Sequence, residues 1–239
     1  MAPFAAAIRE AMSSGNPTTF HHVSDLGNAP VPIGTDKYLS LPDSPIDALA
    51  LARCRGRVLD IGAGCGRHTL ELQRLDIDVV ALERSAAFID ILNEREVLNS
   101  VQADIYDYSG EDFDTLLLLD NTIGLAESPE GLVTLLKHLH TLARHGAELL
   151  IEGMGAYERA FYPELPFADE RIEDFIAENE PYFPISTSHL EYENQIGESF
   201  SWIYPGESLL AACAQRAGWS FECLTETGPI DFLASLRRE

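Results

Sequence analysis

The middle of the chain alternates short apolar runs with stretches of helical periodicity. Residues 57–62 (RVLDIG) read as a buried strand ending in glycines, and residues 68–75 follow as a short helix. Residues 78–83 (DVVALE) form the next strand, after which Ser85 reads as the N-cap of a helix burying Phe88, Ile89 and Leu92. Residues 101–104 are a third, shorter strand, and residues 113–120 a fourth, so rich in leucine that both faces must be covered. Ser128 and Pro129 open a helix by the N-cap and N1 rule, with Leu132, Leu135, Leu136 and Leu139 on one buried stripe. Residues 147–152 close the set as a fifth strand. Upstream, Ser44, Pro45 and Asp47 begin a helix that runs to about Cys54. This alternation predicts an α/β, doubly wound parallel sheet with crossover helices.

The last third has a different texture. Residues 153–184 are acidic and aromatic, and Pro163, Pro166, Pro181 and Pro184 interrupt any regular element. Residues 189–194 and 199–204 read as a hairpin around Gly197, residues 207–217 as a helix, and residues 219–225 and 230–236 as two further strands. The expected organisation is an N-terminal segment, 1–43, lying over the ligand site; a core, 44–152; an inserted cap with a hairpin after the fifth strand, 153–206; and a return to the core, 207–239.

Charge narrows the partners. The chain has 239 residues, of which 16 are Lys or Arg and 39 Asp or Glu, for a net charge of −23. Such a field repels phosphate backbones and anionic lipid, so nucleic acid and membrane surfaces are not expected as partners. The four cysteines, Cys54, Cys65, Cys213 and Cys223, form no C-x-x-C pair and lie near no histidine at zinc spacing, so no metal is expected. The first residues lack the pattern of a signal peptide, and the longest aliphatic run is far too short for a membrane span, so a cytoplasmic protein is expected. Monomer and homodimer both remain open.

The chemistry is concentrated where strands end. Asp60, Gly62, Ala63, Gly64, Cys65 and Gly66 stand where the first strand meets a helix, and the glycines permit a tight turn that a ligand can approach closely. A dinucleotide-binding turn needs a small residue at the position held here by Arg67, which argues against a nicotinamide oxidoreductase. Glu83 ends the second strand, where a carboxylate can accept hydrogen bonds from both hydroxyls of a ribose. Asp104, flanked by Ala103 and Ile105, can accept from an exocyclic amine while an apolar neighbour covers a purine. Asp120 and Asn121 follow the leucine-rich strand, at the switch point where open α/β sheets place ligands. Arg67 itself reads either as a surface residue or as a salt bridge to a cap carboxylate or an anionic substrate.

Residues 58–66 (VLDIGAGCG), 80–85 (VALERS) and 102–104 (QAD) resemble the successive motifs of class I S-adenosylmethionine-dependent methyltransferases. The resemblance covers residues 57–152 and continues more loosely to the final strand pair. It implies a mostly parallel seven-stranded sheet with the last strand antiparallel, and S-adenosyl-L-methionine as cofactor. Carried over by position, the turn from Gly62 through Ala63 and Gly64 to Gly66 would cradle the methionine part, with Asp60 near its amino group. Glu83, beside Arg84, would hold the ribose. Ala103, Asp104 and Ile105 would contact the adenine, and Asp120 with Asn121 the sulfonium end. The nucleobase-methylating branch carries N/D-P-P-F/Y after the fourth strand; here the chain reads Asp120, Asn121, Thr122, Ile123, which disfavours that branch. The expected activity is methyl transfer to an O or N nucleophile of a small molecule or modified peptide. Tyr38, just ahead of the core's first helix, is expected to contact cofactor or substrate, and His21, Tyr38 and His189 are the candidates for a base. The rival reading is a binding protein that uses the same pocket for regulation or scaffolding.

Overall fold

The computed structural model describes residues 1–25, 29–110, 112–154, 185–227 and 231–239. In chain order, the N-terminal segment holds α1 (Ala2–Ser14), β1 (Thr19–Ser24), β2 (Val31–Gly34) and the single-turn α2 (Asp36–Leu39). The core follows with α3 (Pro45–Arg53), β3 (Val58–Ile61), α4 (Arg67–Arg74), β4 (Val79–Glu83), α5 (Ala86–Glu94), β5 (Ser100–Gln102) and β6 (Phe113–Leu118). A 3-10 turn (Thr122–Ala126), α6 (Pro129–Leu142) and β7 (Ala143–Met154) come next. After them stand β8 (Ile185–Tyr192), β9 (Gln195–Ile196), β10 (Phe200–Ile203), α7 (Glu207–Arg216), β11 (Trp219–Thr227) and β12 (Asp231–Arg238).

Seven strands make the main sheet in the order β11-β12-β7-β6-β3-β4-β5. β3 to β7 pair parallel, while β12, the last strand, runs antiparallel to both β7 and β11. The expected architecture is therefore the observed one. Its cause is visible in the strands: Val58, Leu59, Leu116, Leu117, Leu118, Leu149, Leu150 and Ile151 are fully buried because helices cover both faces. α6 lies on one face with Leu132, Leu135, Leu136 and Leu139 at 0% exposure, and its start is capped as the sequence predicts, Gly131 N–H donating to Ser128 Oγ at 3.0 Å. α3 begins with a full capping box, Ser44 and Asp47 each accepting from the other's backbone N–H.

Four details differ from expectation. The third core strand ends at Gln102, so Ala103 and Asp104 lie in the turn beyond it, where the Asp104 carbonyl accepts from the N–H groups of Asp107 and Tyr108. The fifth strand is longer than residues 147–152, because β7 continues to pair with β12 as far as Met154. The hairpin turns at Glu193 and Asn194 rather than around Gly197, with Glu193 in the left-handed region at φ 52° and Tyr192 paired to Gln195. The N-terminal segment, for which no strands were expected, carries two. β1 pairs antiparallel with both β2 and β8, and β8 with β10, so a second sheet takes strands from both ends of the chain. Much of the acidic, aromatic stretch, including Tyr157, Phe161, Tyr162, Phe167, Phe175, Tyr182 and Phe183, lies outside the described residues.

Among the contacts that join the N-terminal segment and second sheet to the core, two are closely packed. Phe4, Phe20 and Tyr38 form an aromatic cluster that reaches Phe88 of α5, with centroids 4.6 to 4.8 Å from Phe4 to Phe20, Tyr38 and Phe88. Trp202 of β10 lies flat against Gly124 in the 3-10 turn, where a Cβ would fall inside the indole. The second sheet thereby covers the carboxyl edge of the main one, near the β3–β6 switch point.

Gly66 shows how tightly the glycine turn is fitted. Its φ is 77°, and a Cβ there would meet Leu92 Cδ2 at 2.7 Å and Val97 Cγ2 at 3.0 Å. Left-handed strain and overpacking add, so Gly66→Ala is expected to destabilise the fold by about 2–4 kcal/mol, read from the urea midpoint. An unchanged midpoint would mean that α5 yields freely to the extra methyl.

Candidate functional site at the carboxyl edge

Five carboxylates end five parallel-sheet segments along one edge: Asp60 on β3, Glu83 on β4, Asp104 past β5, Asp120 past β6 and Glu152 on β7. The glycine turn runs between β3 and α4 with Gly62, Gly64 and Gly66 all at positive φ. Gly64, at φ 53°, faces open space: a Cβ there would find nothing nearer than Gly62 O at 3.8 Å. Gly62 differs, since its Cβ would meet Thr122 Cγ2 at 2.8 Å. One glycine thus opens the turn toward a ligand and its neighbours fit the turn to the protein.

Glu83 binds the turn to the sheet. Its Oε2 accepts from Gly64 N–H at 3.0 Å and its Oε1 from Ser85 N–H at 2.8 Å. Each oxygen keeps acceptor capacity. Burial pushes the Glu83 carboxyl up, against the pull of the Ser85, Gly64 and Arg84 backbone donors. Asp60 lies deeper, 3% exposed, and accepts from Thr69 Oγ1 at 2.6 Å; burial raises it too, opposed by His68 and Thr69. Asp104 is more open and accepts from Tyr106 N–H at 3.0 Å and from Arg84 at 3.3 Å, beside the buried Ile105.

Asp120 and Asn121 are consecutive non-glycine residues in the left-handed region, at φ 51° and 56°. Such strain persists only where surrounding structure holds it, and it clusters at functional sites. Here it turns the Asp120 carboxylate toward Lys37 Nζ at 3.0 Å and Arg67 at 3.6 Å, while Asp120 N–H donates to Glu152 Oε2 at 2.6 Å. Asn121 Oδ1 is buried and has no hydrogen-bond partner among the described residues. Burial, reinforced by the Asp120 carboxylate, pushes Glu152 up to about 7, against the Asp120 N–H and Lys37.

Arg67 is not a surface residue. It is 6% exposed and donates to Asp47 Oδ2 at 2.5 Å, while His68 Nε2 meets Asp47 Oδ1 at 2.7 Å. Neither a surface position nor a bridge to a carboxylate of the inserted cap is observed among the described residues: Arg67 pairs with Asp47, the capping-box carboxylate of α3, and faces Asp120. Burial opposes ionisation of Asp47, but the His68 hydrogen bond and the His68 and Arg67 charges hold it well below the usual carboxylate range. Burial would lower His68, and the bond to Asp47 with the charges of Asp60 and Asp120 raises it instead.

The structure brings together Tyr38, Asp60, Gly62, Ala63, Gly64, Glu83, Arg84, Ala103, Asp104, Ile105, Asp120 and Asn121 along this edge and its strap. His21 and His189 stand apart on the second sheet, His21 opposite Glu191 and His189 bonded to Glu191 Oε1 at 3.0 Å; no hydrogen bond or ion pair among the described residues joins either to the edge. The Tyr38 ring packs edge-on against Phe4, and burial raises its hydroxyl. Sequence reasoning missed Lys37, Asp47, Arg95 and Glu152. Asp47 had a signal in the capping box and Glu152 one in its place at the end of the fifth expected strand; Lys37 and Arg95 are joined to the edge only by long-range contacts.

Known proteins resemble the chain in part of its sequence and in its fold. A methyltransferase-domain family model matches residues 58–146. A curated relative, protein-L-isoaspartate O-methyltransferase of Methylorubrum extorquens (strain PA1), is 45% identical over 64 residues; that stretch is 26% of this chain and 28% of the relative's length. Among solved structures, an S-adenosylmethionine-dependent methyltransferase from Bacteroides fragilis, in complex with S-adenosyl-L-homocysteine, superposes with TM-score 0.83 at 24% identity. The match covers 98% of this chain and 93% of that one. The Burkholderia thailandensis 1,6-didemethyltoxoflavin-N1-methyltransferase superposes with TM-score 0.56 at 17% identity over 81% of this chain and 76% of that one. The fold is the one these S-adenosylmethionine-dependent methyltransferases share, and the family-model match lies within its core. No helix among the described residues is long and apolar enough to cross a membrane, and no three described His, Cys, Asp or Glu residues group as a metal site.

The Asp47–His68 pair makes stability depend on pH. A histidine raised in the folded state stabilises fully below its unfolded value near 6.5, and that contribution is lost as pH rises through the elevated folded value. The unfolding free energies of wild type and His68→Gln are therefore expected to converge as pH rises from about 6.5, followed by urea titration at each pH. Parallel curves across that range would show His68 to be neutral in the folded protein.

Proposed function

We propose that the chain is an S-adenosylmethionine-dependent methyltransferase acting on an O or N nucleophile of a small molecule or peptide. The observation that carries this reading is the Gly64 turn, open toward solvent and bound at its back to a Glu83 carboxylate that retains acceptor capacity. In this reading Glu83 holds the ribose hydroxyls and the turn from Gly62 to Gly66 cradles the methionine part, with Asp60 buried beneath it. Asp104 and Ile105 receive the adenine, and Asp120 and Asn121 face the sulfur end. The donor supplies a methyl group on a cationic sulfur, which an acceptor displaces in line as the charge is neutralised.

The protein's part is placement and exclusion of water. Holding the acceptor in line contributes through effective molarity, on the order of 7–11 kcal/mol for well-oriented pairs. Where the acceptor must release a proton, Glu152 at the end of β7 is the edge group whose carboxyl, near 7, takes one at neutral pH. The Methylorubrum relative is by its name an O-methyltransferase and the Burkholderia one an N-methyltransferase, which supports leaving both acceptor atoms within the proposal.

Calorimetric titration with S-adenosyl-L-homocysteine tests the reading, with NADH as control. Micromolar binding of the first alone is expected, and Glu83→Ala is expected to weaken it about tenfold or more while leaving the protein folded, because two charge-assisted bonds to the ligand are lost. Gly64→Val is expected to weaken it similarly, since the branched side chain would fill the open side of the turn. Silence from S-adenosyl-L-homocysteine in wild type would refute the cofactor assignment. Binding without turnover of any O or N acceptor would move the chain to a regulatory role.

A further inference from the structure

Lys37 is one of two lysines in a chain of net charge −23, and it stands at the site. Its ammonium is 3.0 Å from Asp120 Oδ1 and 5.6 Å from the Tyr38 ring centroid. The other oxygen, Asp120 Oδ2, faces Arg67, which is buried and anchored on Asp47. The two cations differ in kind. The Arg67 side chain is 6% exposed and has no room to leave, whereas the Lys37 side chain is 54% exposed. Ion pairs so open to water are weak and exchange readily.

The segment that carries Lys37 is held without that ion pair. Arg95, at the end of α5, donates to the carbonyls of Tyr38 at 3.3 Å, Leu39 at 3.0 Å and Cys65 at 2.5 Å, which ties α2 to the glycine turn. Tyr38 adds its packing on Phe4. Lys37 can therefore swing off Asp120 while α2 stays in place. Other groups near Asp120 are Glu152 on β7, through the Asp120 N–H, and Asp60, His68, Tyr38 and Cys65.

We propose that Lys37 sets the preference of the site between a charged and a neutral sulfur: its ammonium neutralises Asp120 and competes with a sulfonium for that carboxylate. The inference rests on the reading that the sulfur end of the donor lies by Asp120. S-adenosylmethionine and S-adenosyl-L-homocysteine share every other charge, so their affinity ratio isolates the effect. Lys37 lowers the affinity of the charged donor and leaves the neutral product almost untouched, which brings the two affinities closer than the carboxylates alone would.

Calorimetry with both ligands tests this on wild type, Lys37→Met and Lys37→Arg. Lys37→Met is expected to bind S-adenosylmethionine about threefold or more tighter and S-adenosyl-L-homocysteine within about twofold of wild type, since a like charge has been removed from beside the sulfonium. Lys37→Arg, which keeps the charge, is expected to restore the wild-type ratio. Equal shifts for both ligands would assign Lys37 to closing the segment and overturn the proposal, as would no shift in either. If wild type binds neither ligand, the cofactor reading itself falls, and the inference with it.

Discussion

The carboxylate of Asp47 is the point on which the edge of the sheet is organised. It closes the capping box of α3, accepts from Arg67 and meets His68, the first two residues of α4, all within a buried space. Those contacts hold the helix that leaves the glycine turn against the helix that precedes the first core strand. Arg67 then extends the network to Asp120, and Asp120 N–H to Glu152. A buried ion pair of this kind contributes little over an apolar substitute, but losing one partner leaves an uncompensated charge and costs about 3–5 kcal/mol. Its value to this fold is geometric: a large residue stands after the glycine turn, and Asp47 accounts for where its charge goes.

Beyond that hub, the edge is a line of carboxylates whose ionisation is controlled by depth. Asp60, Glu83 and Glu152 are raised by burial, and each is moderated by donors or cations around it. In so acidic a chain, a pocket for a donor with a positive sulfur needs little further attraction. What it needs is control of where negative charge is left unmet. Arg67 meets one Asp120 oxygen from a buried side chain and Lys37 the other from an exposed one. Backbone donors do the same for Glu83, leaving a carboxylate that is oriented yet unsaturated.

Most of the main sheet was legible because its strands are buried on both faces and its helices are capped by local chemistry. The runs ending at Ile61, Glu83 and Leu118, and the caps at Ser44 and Ser128, are local signals that tertiary context did not override. The second sheet was hard to read for the opposite reason. β1 carries His21 and His22 and has only Phe20 buried, and it gains its identity by pairing with β8, far away in sequence. Its hairpin turn uses Glu193 in the left-handed region, where glycine at position 197 looked the better candidate. The site divides the same way. Asp60, Glu83, Asp104 and Asp120 announce themselves by standing at strand ends. Lys37 and Arg95 are joined to them only by contacts that no local pattern encodes, whereas Glu152 carries the same strand-end signal and was passed over.

The most direct test of the whole arrangement is a crystal structure of the chain with S-adenosyl-L-homocysteine. The ribose hydroxyls should lie within hydrogen-bond distance of Glu83, with the backbone donors of Gly64 and Ser85 still in place, and the sulfur should face Asp120. A ligand bound elsewhere, or a ribose held by groups other than Glu83, would contradict the placement of the site at the carboxyl edge.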